Sequence, residues 1–210
     1  QRPSTLRRAA RPRASASRRQ RWFSCTWRST GGWRAARRRG WTGRLPEGSG
    51  LTVDEVPTPD GLRTMYDEWQ ALWERTPAAT TFQSPAWLIP WWRHFGSGDA
   101  VTLALRDRKR LVGLAPFYVL HEPEGRKLLA QGIGVSDYLD PLIEPGSEVV
   151  AAATIIRYLA EVGWRFDRAD LEGLRHGSPL LAAEAPAGWS APVGPREPSP
   201  ILALPASGAA

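Results

Sequence analysis

Thr81-Phe82-Gln83-Ser84-Pro85-Ala86-Trp87-Leu88-Ile89-Pro90-Trp91-Trp92-Arg93-His94-Phe95-Gly96 holds three tryptophans and two phenylalanines in sixteen residues. Each ring is a large apolar load with defined packing demands, so the run belongs to a folded element and not to a tail. Ser84 stands at an N-cap, Pro85 fits the first helical position and Gly96 supplies a stop. The segment therefore reads as a helix to Phe95. Pro90 removes a backbone donor and crowds the turn before it, which predicts a kink or split near Ile89.

Upstream, Leu51-Thr52-Val53-Asp54-Glu55-Val56 alternates apolar and polar residues as a half-buried strand does. Thr58 before Pro59 and Asp60 is a second cap-plus-Pro start. Leu62, Met65, Trp69 and Leu72 then recur at helical spacing, which predicts an amphipathic helix over 59–75. Downstream the period becomes two. Val101 to Leu105 and Leu111 to Leu120 read as strands joined at Asp107-Arg108-Lys109. Lys127 to Ala130 adds a third antiparallel strand, which Leu139 to Ile143 extends or continues. Gly113 and Pro116 suit central strands poorly and predict a bulge or an edge position. A helix over about 148–162, a strand over 166–171, a short helix from Ser178 to Ala185 and a strand over 201–204 complete the order.

The charge is uneven. Residues 1–46 carry 14 arginines and no acidic residue, whereas residues 47–210 carry 14 Lys and Arg against 21 Asp and Glu. The first 46 residues hold few aliphatic side chains, too few to offset chain entropy, and are expected to form a disordered basic arm. Three readings of the arm stand side by side. It is a tether in which arginines neutralise phosphates of nucleic acid or anionic lipid while Trp22, Trp27, Trp33 and Trp41 stack on bases. It is a plain disordered extension. Or it is not natural coding sequence, because it uses only Arg, never Lys, as GC-rich DNA read upstream of a start does. Nucleic acid is the less favoured partner.

Arg18-Arg19 is not followed by the apolar stretch of an export signal. No run reaches the roughly 20 apolar residues of a membrane span. The single Cys25 offers neither a disulfide framework nor a thiolate metal site, which fits a cytoplasmic location. His94, His121 and His176 share no metal-ligand spacing, so no metal is expected.

The order strand, helix, helix, three antiparallel strands, helix, strand, helix, strand resembles the GNAT-type N-acetyltransferase fold. The local sequences resemble its CelD-like (cellulose-biosynthesis-type) members, which are related to the Fem-type aminoacyl transferases. The resemblance rests on Phe82-Gln83-Ser84-Pro85-Ala86-Trp87 with Trp91-Trp92 and Phe95-Gly96, on Leu111-Val112-Gly113-Leu114-Ala115-Pro116, on Ser136-Asp137-Tyr138-Leu139-Asp140-Pro141-Leu142-Ile143, and on Asp170-Leu171 with Ser178-Pro179-Leu180. It implies an α/β (α+β) half-domain over residues 47–205, with a mixed, mostly antiparallel sheet flanked by helices. Proteins of this kind look like two GNAT-like domains in tandem, so residues 206–210 are expected to be a tail before a missing C-terminal GNAT domain. The resemblance further implies an acyl-CoA-dependent acyltransferase of exopolysaccharide or cell-envelope synthesis. Acetyl-CoA or another acyl-CoA is then the co-substrate of the full-length parent, and a sugar or other small molecule the acceptor.

GNAT enzymes hold the CoA pyrophosphate on backbone N–H groups of a Gln/Arg-x-x-Gly-x-Gly/Ala loop at a helix N-terminus. The matching junction here, Asp140-Pro141-Leu142-Ile143-Glu144-Pro145-Gly146-Ser147-Glu148, has one glycine, two prolines and three acids. Gln131-Gly132-Ile133-Gly134 has glycines at the wrong spacing. The chain alone is therefore expected to bind no CoA and to be inactive. Its candidate site residues are Asp137, Tyr138 and Asp140, two carboxylates flanking a phenol that suit acid–base work or an amine or sugar substrate; the plain alternative is a turn. Gln83 and Trp87 are candidates to line a substrate groove, with core packing as the alternative. Ser178 lacks a nucleophile-elbow frame and reads as a helix cap.

Overall fold

The computed structural model describes residues 19–20, 22–29, 50–185, 189–190, 192–195 and 199–200. Over these, the two periods resolve into β1 (Arg19–Gln20), β2 (Trp22–Ser29), β3 (Leu51–Val56), α1 (Pro59–Thr64), α2 (Tyr66–Glu74), α3 (Pro85–Phe95), β4 (Asp99–Asp107), β5 (Arg110–Glu122) and β6 (Gly125–Ala130). They continue as β7 (Leu142–Ile143), α4 (Glu148–Glu161), β8 (Arg168–Arg175), α5 (Pro179–Ala182), β9 (Trp189–Ser190), β10 (Val193–Pro195) and β11 (Ser199–Pro200). The main sheet runs β10-β2-β8-β6-β5-β4-β3, with β7 also on β5 and β9 also on β2. Among its described strands, β6 and β8 make the one parallel pair. The architecture is thus mixed α/β, a mostly antiparallel sheet flanked by helices. The strand expected over 201–204 lies outside the described residues, as do 206–210.

The alternation in β3 sends Leu51 and Val53 to one face of the sheet and Val56 to the other. The first face carries the larger core, built with Val101, Leu103, Leu105 and Phe117 under Ile155, Ile156 and Leu159 of α4. The second is covered by α1 and α2 with Leu62, Trp69 and Leu72, and by Leu88 of α3. Beside it, Trp91 and Trp92 meet Tyr118 at ring-centroid distances of 5.7 Å each. Trp69, wholly buried, also donates from Nε1 to Gln83 O at 2.9 Å, which ties α2 to the start of α3.

The single helix expected over 59–75 is instead two, meeting at Met65. Thr64 Oγ1 donates back to Gly61 O at 2.7 Å, a side-chain bond that competes with the helical ladder and bends it. The expected split of α3 at Pro90 does not occur, since the helix runs unbroken to Phe95. The carbonyl that loses its partner belongs to Ala86, which is exposed, as is Pro90, so the lost bond does not strand a buried polar group.

β5 accommodates its two poor strand residues differently. Leu105 pairs with Gly113 but Arg106 with Leu111, a bulge that places one extra residue in β5. Pro116 faces the interval between β7, which pairs at Gly113 and Leu114, and β6, which pairs from Phe117 onward. Its carbonyl accepts from Gln131 N at 2.8 Å on that side, so its missing N–H breaks no ladder bond.

Part of the segment read as a disordered arm is strand. β2 lies antiparallel along β8 from Trp22 opposite Arg175 to Arg28 opposite Arg168, and Cys25 is buried in the larger core. Averaged composition hid an eight-residue run, Trp-Phe-Ser-Cys-Thr-Trp-Arg-Ser, whose aromatic and β-branched residues suit a pleated surface. The edge of β8 supplies the ladder that the run lacks by itself.

Candidate functional site

Between β6 and β7 the chain leaves the sheet and returns to it, carrying Ser136 to Pro141 across the end of β8. Leu139 N donates to Gly173 O at 3.1 Å, which anchors the return. Gly173 has φ +68, and a Cβ there would meet Leu139 at 3.3 Å. It sits where β2 and β8 shift register between Phe23 and Cys25. Only a glycine takes this left-handed turn and close approach at low cost. Tyr138 also has positive φ, +59, an uncommon state for a residue with a side chain and one that marks a site worth inspection.

This return brings Asp140 against Arg175, the last residue of β8. Asp140 Oδ2 accepts from Arg175 N at 3.1 Å and from Arg175 Nε at 3.0 Å. Arg175 Nη1 donates to Ala78 O at 2.7 Å. Gln83 Nε2 donates to Asp140 O at 2.8 Å, while its Oε1 accepts from Thr80 N at 3.0 Å. Gln83 is therefore a clasp, with both ends of its amide committed. Asp140 is 3 % exposed, and its second oxygen, Oδ1, has no hydrogen-bond partner.

The aromatic candidates form a layer beside the clasp. Tyr138 stacks on Phe82 with centroids 6.2 Å apart and planes at 16°, and the Arg175 guanidinium lies 5.9 Å from the Tyr138 ring centroid. Phe82 meets Trp87 edge-on at 5.2 Å. Trp87 Nε1 donates to Ser136 Oγ at 2.8 Å. Of the five sequence candidates, Tyr138 and Asp140 thus meet Arg175, Gln83 joins through Asp140 O, Trp87 joins through Phe82, and Asp137 stays exposed.

A pocket of about 270 Å³ opens beside the clasp, walled by Gln83, Asp140, Glu148, Arg175, His176 and Ser178 among others. Ser178, expected as a helix cap, makes no side-chain cap bond to α5. Its hydroxyl is buried and lacks a partner. Arg175, Glu148 and Ser178 were not legible as site residues. A basic residue closing a strand and an acid in the first turn of a helix are ordinary features until the sheet order sets them side by side.

The start of α4 carries its own acids. Glu148 Oε2 accepts from Gly146 N at 2.7 Å. Glu144 pairs with Arg75 at 3.1 Å and also with Arg110. Carboxylates at a helix N-terminus satisfy its dipole and repel an added anion. Among the described residues no three His, Cys, Asp or Glu side chains gather to hold a metal, and no helix is long and apolar enough to cross a membrane. Comparison with protein-family models, with curated proteins and with solved structures gives no match for this chain.

Proposed function

We propose that this chain is the acceptor-side, N-terminal part of an acyl-CoA-dependent acyltransferase of the GNAT superfamily, CelD-like in type. It works in the cytoplasm on a sugar or other small hydroxyl- or amine-bearing acceptor of exopolysaccharide or cell-envelope synthesis. One observation supports the reading: among the described strands of the mostly antiparallel main sheet, β6 and β8 lie parallel with α4 between them in the chain, which fits the mixed sheet that the GNAT resemblance implies. The argument is one of fold-level likeness.

The division of labour follows from the charges around α4. In this fold a helix start holds the donor's pyrophosphate on unpaired N–H groups. Here Pro145 offers no N–H, and Glu144 and Glu148 stand at the same place. The acyl donor is therefore assigned to a second domain, and the general base and oxyanion donor of the transfer with it. Calorimetric titration of the full chain with acetyl-CoA is expected to show no micromolar binding. Acetyl transfer is expected only when a second GNAT-like domain is supplied. Micromolar acetyl-CoA binding by this chain overturns the assignment.

A further inference from the structure

On the second face of the sheet, opposite α4, α1 packs against α3, and both helices wall a groove of about 780 Å³. It shares no lining residue with the pocket beside the Asp140–Arg175 clasp. Its volume falls within the range of roughly 300–1,000 Å³ that holds small organic ligands. Asp60 and Arg63 stand three residues apart on α1, and Ile89, Trp92 and Arg93 occupy positions i, i+3 and i+4 on α3. At that spacing each helix gives one face to the groove.

Leu62, Ile89, Pro90 and Trp92 supply its apolar surface. Pro90 is costly inside a helix, and it is exposed, so core packing does not explain it. A local rule broken without a packing gain is expected at a functional position. The charges select the sign of a ligand. Two guanidiniums, Arg63 and Arg93, stand against the single carboxylate of Asp60, so the wall is cationic whether or not His94 carries a proton. Both arginines are exposed, and neither has a hydrogen bond or ion pair with any described residue. The body around them is acidic, with 14 Lys and Arg against 21 Asp and Glu over residues 47–210. Most of its other described arginines hold carboxylates, Arg75, Arg106 and Arg110 among them. One cation in the last turn of a helix is an ordinary feature. Two on the wall of one groove, unpaired in an acidic body and set beside open apolar surface, point to an anion that binds there.

We propose that the groove between α1 and α3 binds an organic oxyanion with an apolar body, a phosphate- or carboxylate-headed amphiphile. Arg63 and Arg93 hold the head, and Ile89, Pro90 and Trp92 cover the chain or ring. The planar guanidinium fork suits such a head because it binds two oxygens at once. The inference does not rest on the acyltransferase reading and involves no acyl transfer.

Calorimetric titration of the full chain with decyl phosphate, kept below its micelle concentration, tests it. One saturable site is expected. Butyl phosphate keeps the head and covers less of the apolar wall, and decyl glucoside keeps the chain on a neutral head. Each is expected to bind at least about tenfold more weakly. Arg63→Gln and Arg93→Gln are each expected to weaken decyl phosphate about tenfold, the scale of one charge-assisted hydrogen bond. Their melting temperatures should not change, since neither arginine holds a partner in the fold. Lys109→Gln, an equal loss of charge at the turn between β4 and β5, is expected to leave binding unchanged. All three variants keep the 14 arginines of residues 1–46, so they separate the groove from that segment. Absence of saturable binding overturns the proposal, and capture by phosphatidylglycerol vesicles alone would then assign the arginines to a membrane surface. Equal affinity for butyl phosphate or decyl glucoside, wild-type affinity in either arginine variant, or an equal loss in Lys109→Gln also overturns it.

Discussion

Two carboxylates, Glu55 and Asp140, each tie distant parts of the chain together, and they are satisfied to different degrees. Glu55 on β3 accepts from Tyr158 of α4 on one oxygen and from Arg165 Nη1 on the other, at 2.7 Å. Both oxygens are used, and the group simply fastens the edge strand to the helix above it. Asp140 spends one oxygen on Arg175 and leaves the other bare beside a pocket. A fully satisfied buried network rigidifies a fold, while a half-satisfied one costs stability. The contrast separates a structural tie from a site candidate where residue type alone does not.

The comparison can be broken most directly by Asp140→Ala. It leaves Arg175 N and its guanidinium without their acceptor, and removal of one partner of a buried pair costs about 3 kcal/mol. Urea denaturation should show this as a lower midpoint with an unchanged slope. A loss below about 1 kcal/mol would mean that the clasp does not organise the return from β6 to β7.

Tyr158→Phe tests the satisfied tie. The ring stays while Glu55 loses a donor, at an expected cost of about 1–2 kcal/mol. Burial, and then the Glu55 carboxylate beside it, push the Tyr158 phenol well above its ordinary value. A phenol with a raised folded-state pKa contributes stability in full below the unfolded value of about 10 and loses it as pH rises beyond. Wild-type stability should therefore fall more steeply than that of Tyr158→Phe on the alkaline side of that value, followed by tyrosinate absorbance alongside unfolding. Parallel pH profiles for the two proteins would remove Glu55–Tyr158 as a tie.

Glu68→Gln gives the smallest effect and the baseline. Arg106 grips Glu68 with two hydrogen bonds of 2.7 Å each, which holds the carboxyl below its usual range. A lowered folded-state pKa means the contribution is present above the ordinary carboxylate value and fades as pH falls through the folded one. The pair is largely at the surface, so the loss should be about 0.5 kcal/mol and shrink with added salt. A loss matching that of Asp140→Ala would show that burial is not what distinguishes the two.

The helices and strands of residues 51–175 were legible because their signals are local. Ser84 does accept a hydrogen bond from Trp87 N, Thr58 one from Gly61 N, and Pro stands at the start of α1, α3 and α5. Asp140 and Gln83 were legible as residues of interest, but their roles were not. Gln83 reads as a groove candidate and does line a pocket, but only the structure shows Thr80 N and Asp140 O claiming both ends of its amide. Ser178 reads as a cap until its hydroxyl proves to lack any partner. The strand β2 was hidden by arginine-rich neighbours that pull the average composition towards disorder.

The sequence by itself determined the run of helices and strands between β3 and β8 apart from the break at Met65, the amphipathic faces of α2 and α3, the meander β4–β6 and the acids ahead of α4, because periods, caps and turn residues act within a few positions. Tertiary structure alone decided that β6 and β8 run side by side, that β2 covers the edge of β8, and that Asp140 meets Arg175 across 35 residues of chain. Those outcomes depend on which strand edges and buried polar groups remain to be satisfied once the core has closed, and no local pattern encodes that choice.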